Sequence, residues 1–272
     1  MDTSSALPDR LTLIAVSALA YVVAVALHEH LGHAAACVLL GSSAVELGAF
    51  YVNCDNTMLD ATSVRLVALA GPLMSLLTGI VCFRILRAIN TKARVAWYFT
   101  WLLGSLRLMT ATGYPVFSGI SGLGDLGGDA DGALHGVAPE WSWRSALVII
   151  GVASYFVAVR SAARALDPRI SGNGTDRIRS ARLVTLISYL TGGAVYLAIG
   201  LLNPYGFVIM VTSALASSLG GTSGLLWMRR LLDRVREVPP PGLSFPRSWP
   251  WIGAALAAVA AYGLVLGPTL RP

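Results

Sequence analysis

Charge is what this 272-residue chain has least of: 12% of its residues are Asp, Glu, Lys or Arg, against about 25% in an average soluble domain. Set beside 55% hydrophobic residues, that deficit excludes an ordinary soluble fold. Cysteine is scarce too. Cys37, Cys54 and Cys82 form no C-x-x-C pair, which excludes a zinc ribbon or finger, and they read as small buried hydrophobes. No internal repeat of fixed period is present, so a solenoid is excluded. Histidine occurs at only four positions: His28, His30, His33 and His135.

What is abundant is apolar sequence. Runs long enough to cross a bilayer, about 20 residues each, occur at 11–40, 62–86, 94–112, 144–166, 181–202, 205–228 and 250–268. Unpaired backbone is costly in lipid, so such runs predict helices and not barrel strands. The expected fold is an all-α polytopic membrane protein with about seven transmembrane helices. The region AAAC at 34–37 resembles a leader's cleavage or lipidation site, but the apolar stretch before it exceeds the usual h-region of about 7–15 residues. The first segment is therefore read as a retained span.

Basic residues predict the orientation, because cytoplasmic loops carry the excess of Lys and Arg. Arg10 precedes the first span, and Arg84, Arg87, Lys92 and Arg94 follow the second. Arg160, Arg164, Arg169, Arg177, Arg179 and Arg182 lie between the fourth and fifth, and Arg229, Arg230, Arg234, Arg236 and Arg247 precede the last. The alternate loops, 41–61 and 113–143, carry mainly acidic residues. The expectation is an integral protein of a bacterial-type plasma membrane, N-terminus cytoplasmic and C-terminus outside. The net charge of +6 is then a topology signal and implies no nucleic-acid partner.

The chain divides by chemistry. Residues 1–135 hold every intramembrane ionisable side chain of interest, whereas 136–272 are further apolar helices without a separate soluble domain. SAVELGAFYVN at 43–53 predicts a short strand or hairpin, and SGNGTD at 171–176 and VPPPGLSFP at 238–246 are turn-rich connections.

LHEHLGHAAAC at 27–37 places three histidines and a glutamate at the end of an apolar run. An ionisable group within a span costs about 2.5–3.5 kcal/mol on insertion scales, so this cluster asks for a compensating partner such as a divalent metal. In a regular helix of about 100° per residue, His28 and His33 point about 140° apart, whereas Glu29, His30 and His33 share one side. Alternatively, a π-bulge absorbs one residue and brings His28 and His33 together with Glu29 beside them. Gly32 eases such a distortion. Both arrangements remain open on geometry.

LHEHLGHAAACVLLG, the strand-like loop after it, SVRLVALAGPLMSLLTG at 63–79 and GYPVFSGISGLGDLGGD at 113–129 together resemble the site-2 protease family of intramembrane zinc metalloproteases. The resemblance covers about the first half of the chain and implies an N-terminal three-helix core. It implies one Zn2+ held by His28, His33 and Asp125, with His30 the alternate ligand, and Glu29 as the general base. Two departures stand out: one extra residue between Glu29 and His33, and Leu126 between Asp125 and the next glycine, which leaves Asp129 and Asp131 as alternatives. Gly122, Gly124, Gly127 and Gly128 give the Asp125 segment freedom to fold back. On the charge-derived topology, His28, about 25 Å along its helix from Leu11, and Asp125 lie on the same membrane face.

The function implied is a zinc-dependent peptidase acting on peptide bonds in or beside membrane-spanning segments, its partners being the lipid bilayer and a transmembrane protein or peptide substrate. The alternative is a non-catalytic membrane protein that binds or transports a metal ion through the histidine cluster. Arg107 is expected to pair with a site carboxylate, to stabilise an oxyanion or to snorkel outward, and Arg65 to anchor at the interface. His135 reads as a lone loop histidine.

Overall fold

The computed structural model describes residues 7–90, 92–232, 238 and 242–272. Arg234, Arg236 and the first three prolines of the 238–246 connection, Pro239, Pro240 and Pro241, lie outside the described residues. The chain is almost wholly helical. Helix α1 spans Arg10–Leu39, followed by strands β1 (Ala44–Leu47) and β2 (Val52–Cys54), then α2 (Ala61–Ile85), α3 (Arg94–Ser121), α4 (Glu140–Leu166), α5 (Gly174–Gly200) and α6 (Trp249–Leu266).

Helix starts follow local chemistry. Asp9 and Asp60 cap α1 and α2 by accepting the backbone N–H of Thr12 at 2.9 Å and of Ser63 at 2.7 Å, contacts worth about 1 kcal/mol each. Helix α3 ends where Gly122 takes the left-handed conformation at φ 79°, its N–H bonded to Ser118.

Among the described residues, five helices are long and apolar enough to cross a membrane: α1, α2, α4, α5 and α6. Two of the expected spans do not meet that measure. One is α3, which is 28 residues long but packs against α1, α2 and α4. Trp97, Tyr98, Trp101 and Met109 on it are buried, so its surroundings are protein and its composition need not match lipid. The other, 205–228, is broken into a short helix, a π-helical stretch at Met210–Gly220 and a last turn at Gly224–Trp227.

One apolar core joins the two parts of the chain: Leu13, Tyr21 and Trp101 share it with Val159, Tyr196 and Leu225. Helices α1 and α6 run in parallel. At one end Asp9 N–H donates to Phe245 and Arg247 pairs with Asp9 at 3.2 Å; at the other, Leu47 and Leu270 exchange backbone hydrogen bonds of 2.8 and 2.9 Å. The first and last described residues therefore lie at opposite ends of the helix stack. Arg177, counted above among loop charges, is buried and paired with Asp167.

The predicted hairpin is present. β1 and β2 are antiparallel, with Glu46 opposite Asn53 and Leu47 opposite Val52, and a bulge after Ala44. Leu270 adds a third partner at Leu47, and Tyr262 of α6 donates to Ala49 at the turn. Two of the three cysteines are not isolated hydrophobes: Cys37, at the end of α1, and Cys54, in β2, form a disulfide. Cys82 is free and buried.

Candidate metal centre

Six residues of α1, Glu29–Ala34, wind as a π-helix between regular α-helical stretches. That wider turn absorbs the extra residue of the motif and swings His33 round to His28, whose Nε2 atoms lie 3.3 Å apart. Of the two arrangements the spacing allowed, the chain adopts the bulged one. His30 is not part of the cluster; its Nε2 faces the Tyr262 hydroxyl at 3.3 Å.

The segment A-G-P on α2 explains how the two rings fit. Gly32 and Gly71 pack backbone to backbone, and a Cβ on Gly71 would overlap the His33 ring and lie 2.8 Å from Cε1 of His28. Only glycine at 71 leaves room for both imidazoles. Gly32 is thus required for close approach to α2, a reason that helix periodicity alone does not reveal.

Hydrogen bonds fix which ring nitrogens carry protons. His33 Nδ1 lies 2.8 Å from the carbonyl oxygen of Val67, which can only accept, so Nδ1 is the protonated nitrogen. The Ser75 hydroxyl donates to Gly71 at 2.9 Å and therefore accepts from His28 Nδ1, also at 2.9 Å. Both Nε2 atoms are left with bare lone pairs. Ser75 thereby orients His28 and fixes its tautomer, the kind of support a ligating imidazole takes from its second ring nitrogen.

Asp125 closes the cluster. The chain after α3 folds back through Gly122 and Gly124, both at positive φ, and Ala133 N–H donates to the Asp125 carbonyl. Asp125 Oδ2 then lies 3.1 Å from His28 Nε2 and 3.4 Å from His33 Nε2. Three electron-pair donors converge with no proton assigned between them, and together they can hold a metal ion. Asp129 and Asp131 do not take part: the Asp129 carboxylate lies against Gly127 and Gly132, and Asp131 accepts from Asn56 at 2.8 Å. His135 is likewise elsewhere, its Nδ1 bonded to Gly128 O, while its own carbonyl accepts from Arg65. Arg65, expected as an interfacial anchor, thus ties the Asp125 loop to α2.

Glu29 is 7% exposed, and its carboxylate has no hydrogen-bond partner among the described residues. With His28, His33 and Asp125 it lines a cavity of about 880 Å3. Arg107 lines it too but does not snorkel: it is 1% exposed, donating Nε to Thr78 at 2.8 Å and Nη1 to Ala24 O at 2.7 Å.

Two contributors to the site were not read from the sequence. Tyr114 stacks on His28 with ring centroids 5.0 Å apart and planes at 18°; its only sequence signal is a place shortly before Asp125. The second half of the chain supplies a wall of the cavity, with Tyr155, Tyr196, Ser217, Gly221 and Thr222 among its residues. Small residues dominate the stretch at 217–224, with Gly220 and Ser223 lining the cavity as well.

No protein family, curated protein or solved structure matches the chain.

Proposed function

We propose that this chain is a zinc-dependent intramembrane peptidase, a divergent member of the site-2 protease family, that hydrolyses peptide bonds in or next to membrane-spanning segments. The observation that carries the reading is the donor triangle. A tetrahedral ion with ligand bonds of about 2.0–2.1 Å sets its ligand atoms about 3.3 Å apart, and the three separations here are 3.1, 3.3 and 3.4 Å. Two imidazoles and a carboxylate are a donor set suited to zinc.

Zinc in such a site supplies Lewis acidity, polarising a carbonyl and making water a nucleophile at neutral pH. The chain's own residues do the rest. Glu29, open to the same cavity and free of protein partners, takes a proton from the attacking water and delivers it to the leaving amine. Ser75 and the Val67 carbonyl hold the two histidines in the ligating tautomer. A cavity of about 880 Å3, within the range of about 300–1,000 Å3 for ligand sites, admits an unwound stretch of peptide and shields it from lipid.

The orientation has two supports besides the basic loops. A disulfide at Cys37–Cys54 suits an oxidising compartment, which supports a hairpin on the outer side. The parallel course of α1 and α6 keeps Leu270 with the hairpin and Asp9 at the opposite end, which supports a cytoplasmic side for the latter on the same reading.

The test is the purified protein with a panel of single-span membrane helices. Glu29→Gln is expected to keep zinc and lose cleavage, and Asp125→Ala and His33→Ala to lose both. Unchanged cleavage by Glu29→Gln sinks the mechanism. Zinc binding without any cleavage by the wild type would favour the non-catalytic metal-binding or transporting alternative.

A further inference from the structure

We infer that Tyr114 is a catalytic residue whose phenol donates a hydrogen bond to the carbonyl oxygen of the scissile peptide as that oxygen gains negative charge. The inference rests on the peptidase reading and names a group that neither the motif nor the metal cluster includes.

Three observations place the donor. First, the Tyr114 ring lies almost flat on His28, at 5.0 Å and 18°, so the phenol is held against a residue of the donor triangle and cannot swing freely. Second, Tyr114 lines the same cavity as Glu29 and Asp125. Third, its hydroxyl has no hydrogen-bond partner among the described residues, yet it is not sealed from the cavity. The other interior phenols are all committed: Tyr21 to Thr222, Tyr98 to Ser17 and Ser188, Tyr155 to Gly221, Tyr196 to the Tyr21 carbonyl and Tyr262 to Ala49. Interior hydroxyls are paired as a rule, so a fixed and unpaired phenol facing the cavity is a donor held ready for something that enters.

Chemistry says what enters. A phenol remains protonated at neutral pH and is a good donor to an oxygen carrying partial negative charge. In peptide hydrolysis that oxygen is the carbonyl of the bond under attack, and donors fixed in advance stabilise it without reorganising. Arg107, the cationic alternative on α3, is excluded by its position. Its Nε and Nη1 are bonded to Thr78 and Ala24, and its Nη2, though unpaired, is sealed away from solvent.

The test is Tyr114→Phe, which keeps the ring on His28 and removes only the hydroxyl. Loss of one such donor lowers kcat about 100-fold or more, with KM and zinc content unchanged. Affinity for a peptide phosphinate, which mimics the charged tetrahedral oxygen, falls by a similar factor, while the parent peptide binds Glu29→Gln and Glu29→Gln/Tyr114→Phe equally. Wild-type kcat in Tyr114→Phe overturns the inference. So does a fall in kcat that tracks zinc loss, which would mean the ring merely supports His28. Equal phosphinate affinity in wild type and Tyr114→Phe overturns it as well, even where no peptide is cleaved, so this inference and the peptidase reading fail separately.

Discussion

Gly32 and Gly71 touch through their backbones: a Cβ on Gly32 would stand 2.8 Å from the Gly71 Cα and 3.2 Å from the Ala70 carbonyl oxygen. The contact locks the π-helical turn of α1 onto α2, and the two imidazoles occupy the space a side chain at 71 would need.

Gly71→Ala is therefore expected to push His33 and His28 out of the donor triangle while leaving the rest of the helix pair intact. Overpacking of this kind costs about 1–3 kcal/mol, and the displaced rings should weaken zinc binding by about 10–100-fold, the usual cost of disturbing a ligand's support. Zinc titration beside a thermal melt separates the two effects. Wild-type zinc affinity in this variant would contradict the close approach.

Ser75→Ala removes the acceptor that fixes the His28 tautomer without changing the packing volume by more than a hydroxyl. Zinc affinity should fall about 10–100-fold, with stability altered by about 1 kcal/mol. Asp129→Ala serves as the control in the same titration, since that carboxylate lies outside the triangle and its loss should leave zinc binding unchanged.

Removing Leu31, which is 52% exposed, returns the motif to a four-residue spacing between its outer histidines. A regular α-helix then places those two rings on one face, so the π-turn is expected to disappear and zinc to bind within about tenfold of wild type, about 1.4 kcal/mol. Loss of binding would mean that the bulge does more than absorb one residue.

Cys37→Ser with Cys54→Ser unties the hairpin from α1. A disulfide of this kind contributes about 2–4 kcal/mol, so the double variant should inactivate at a lower temperature. In the intact cell the wild-type thiols should react with an impermeant maleimide only after reduction, and only from the outside. Labelling from the cytoplasmic face would reverse the proposed orientation.

Much of the site was legible because its geometry follows from covalent spacing. A five-residue step from His28 to His33 demands either a distorted helix or a different ligand, and the glycines around Asp125 announce a chain that turns back. The hairpin at 43–53 was readable for the same local reason. What stayed hidden depends on contacts between distant segments. Nothing near Tyr114 in sequence says that its ring will meet His28, and the Cys37–Cys54 pairing needs the hairpin to be folded against α1 first. Helix α3 was expected as a span, yet it is not among the five helices that meet the measure of length and apolarity, and it packs against three other helices. Hydropathy reports preference for lipid and is blind to a helix that meets protein on three sides.

The pairing of Leu270 with Leu47 also orders events in time. The hairpin beside the donor triangle is made early in synthesis, but its outer edge and its turn, held by Tyr262, stay unsupported until α6 has been inserted. A partly translated chain already owns His28, Glu29, His33 and Asp125, yet lacks α6 and Leu270, which hold the turn and the edge of the hairpin. The hairpin therefore completes its bonding only once α6 has packed beside α1.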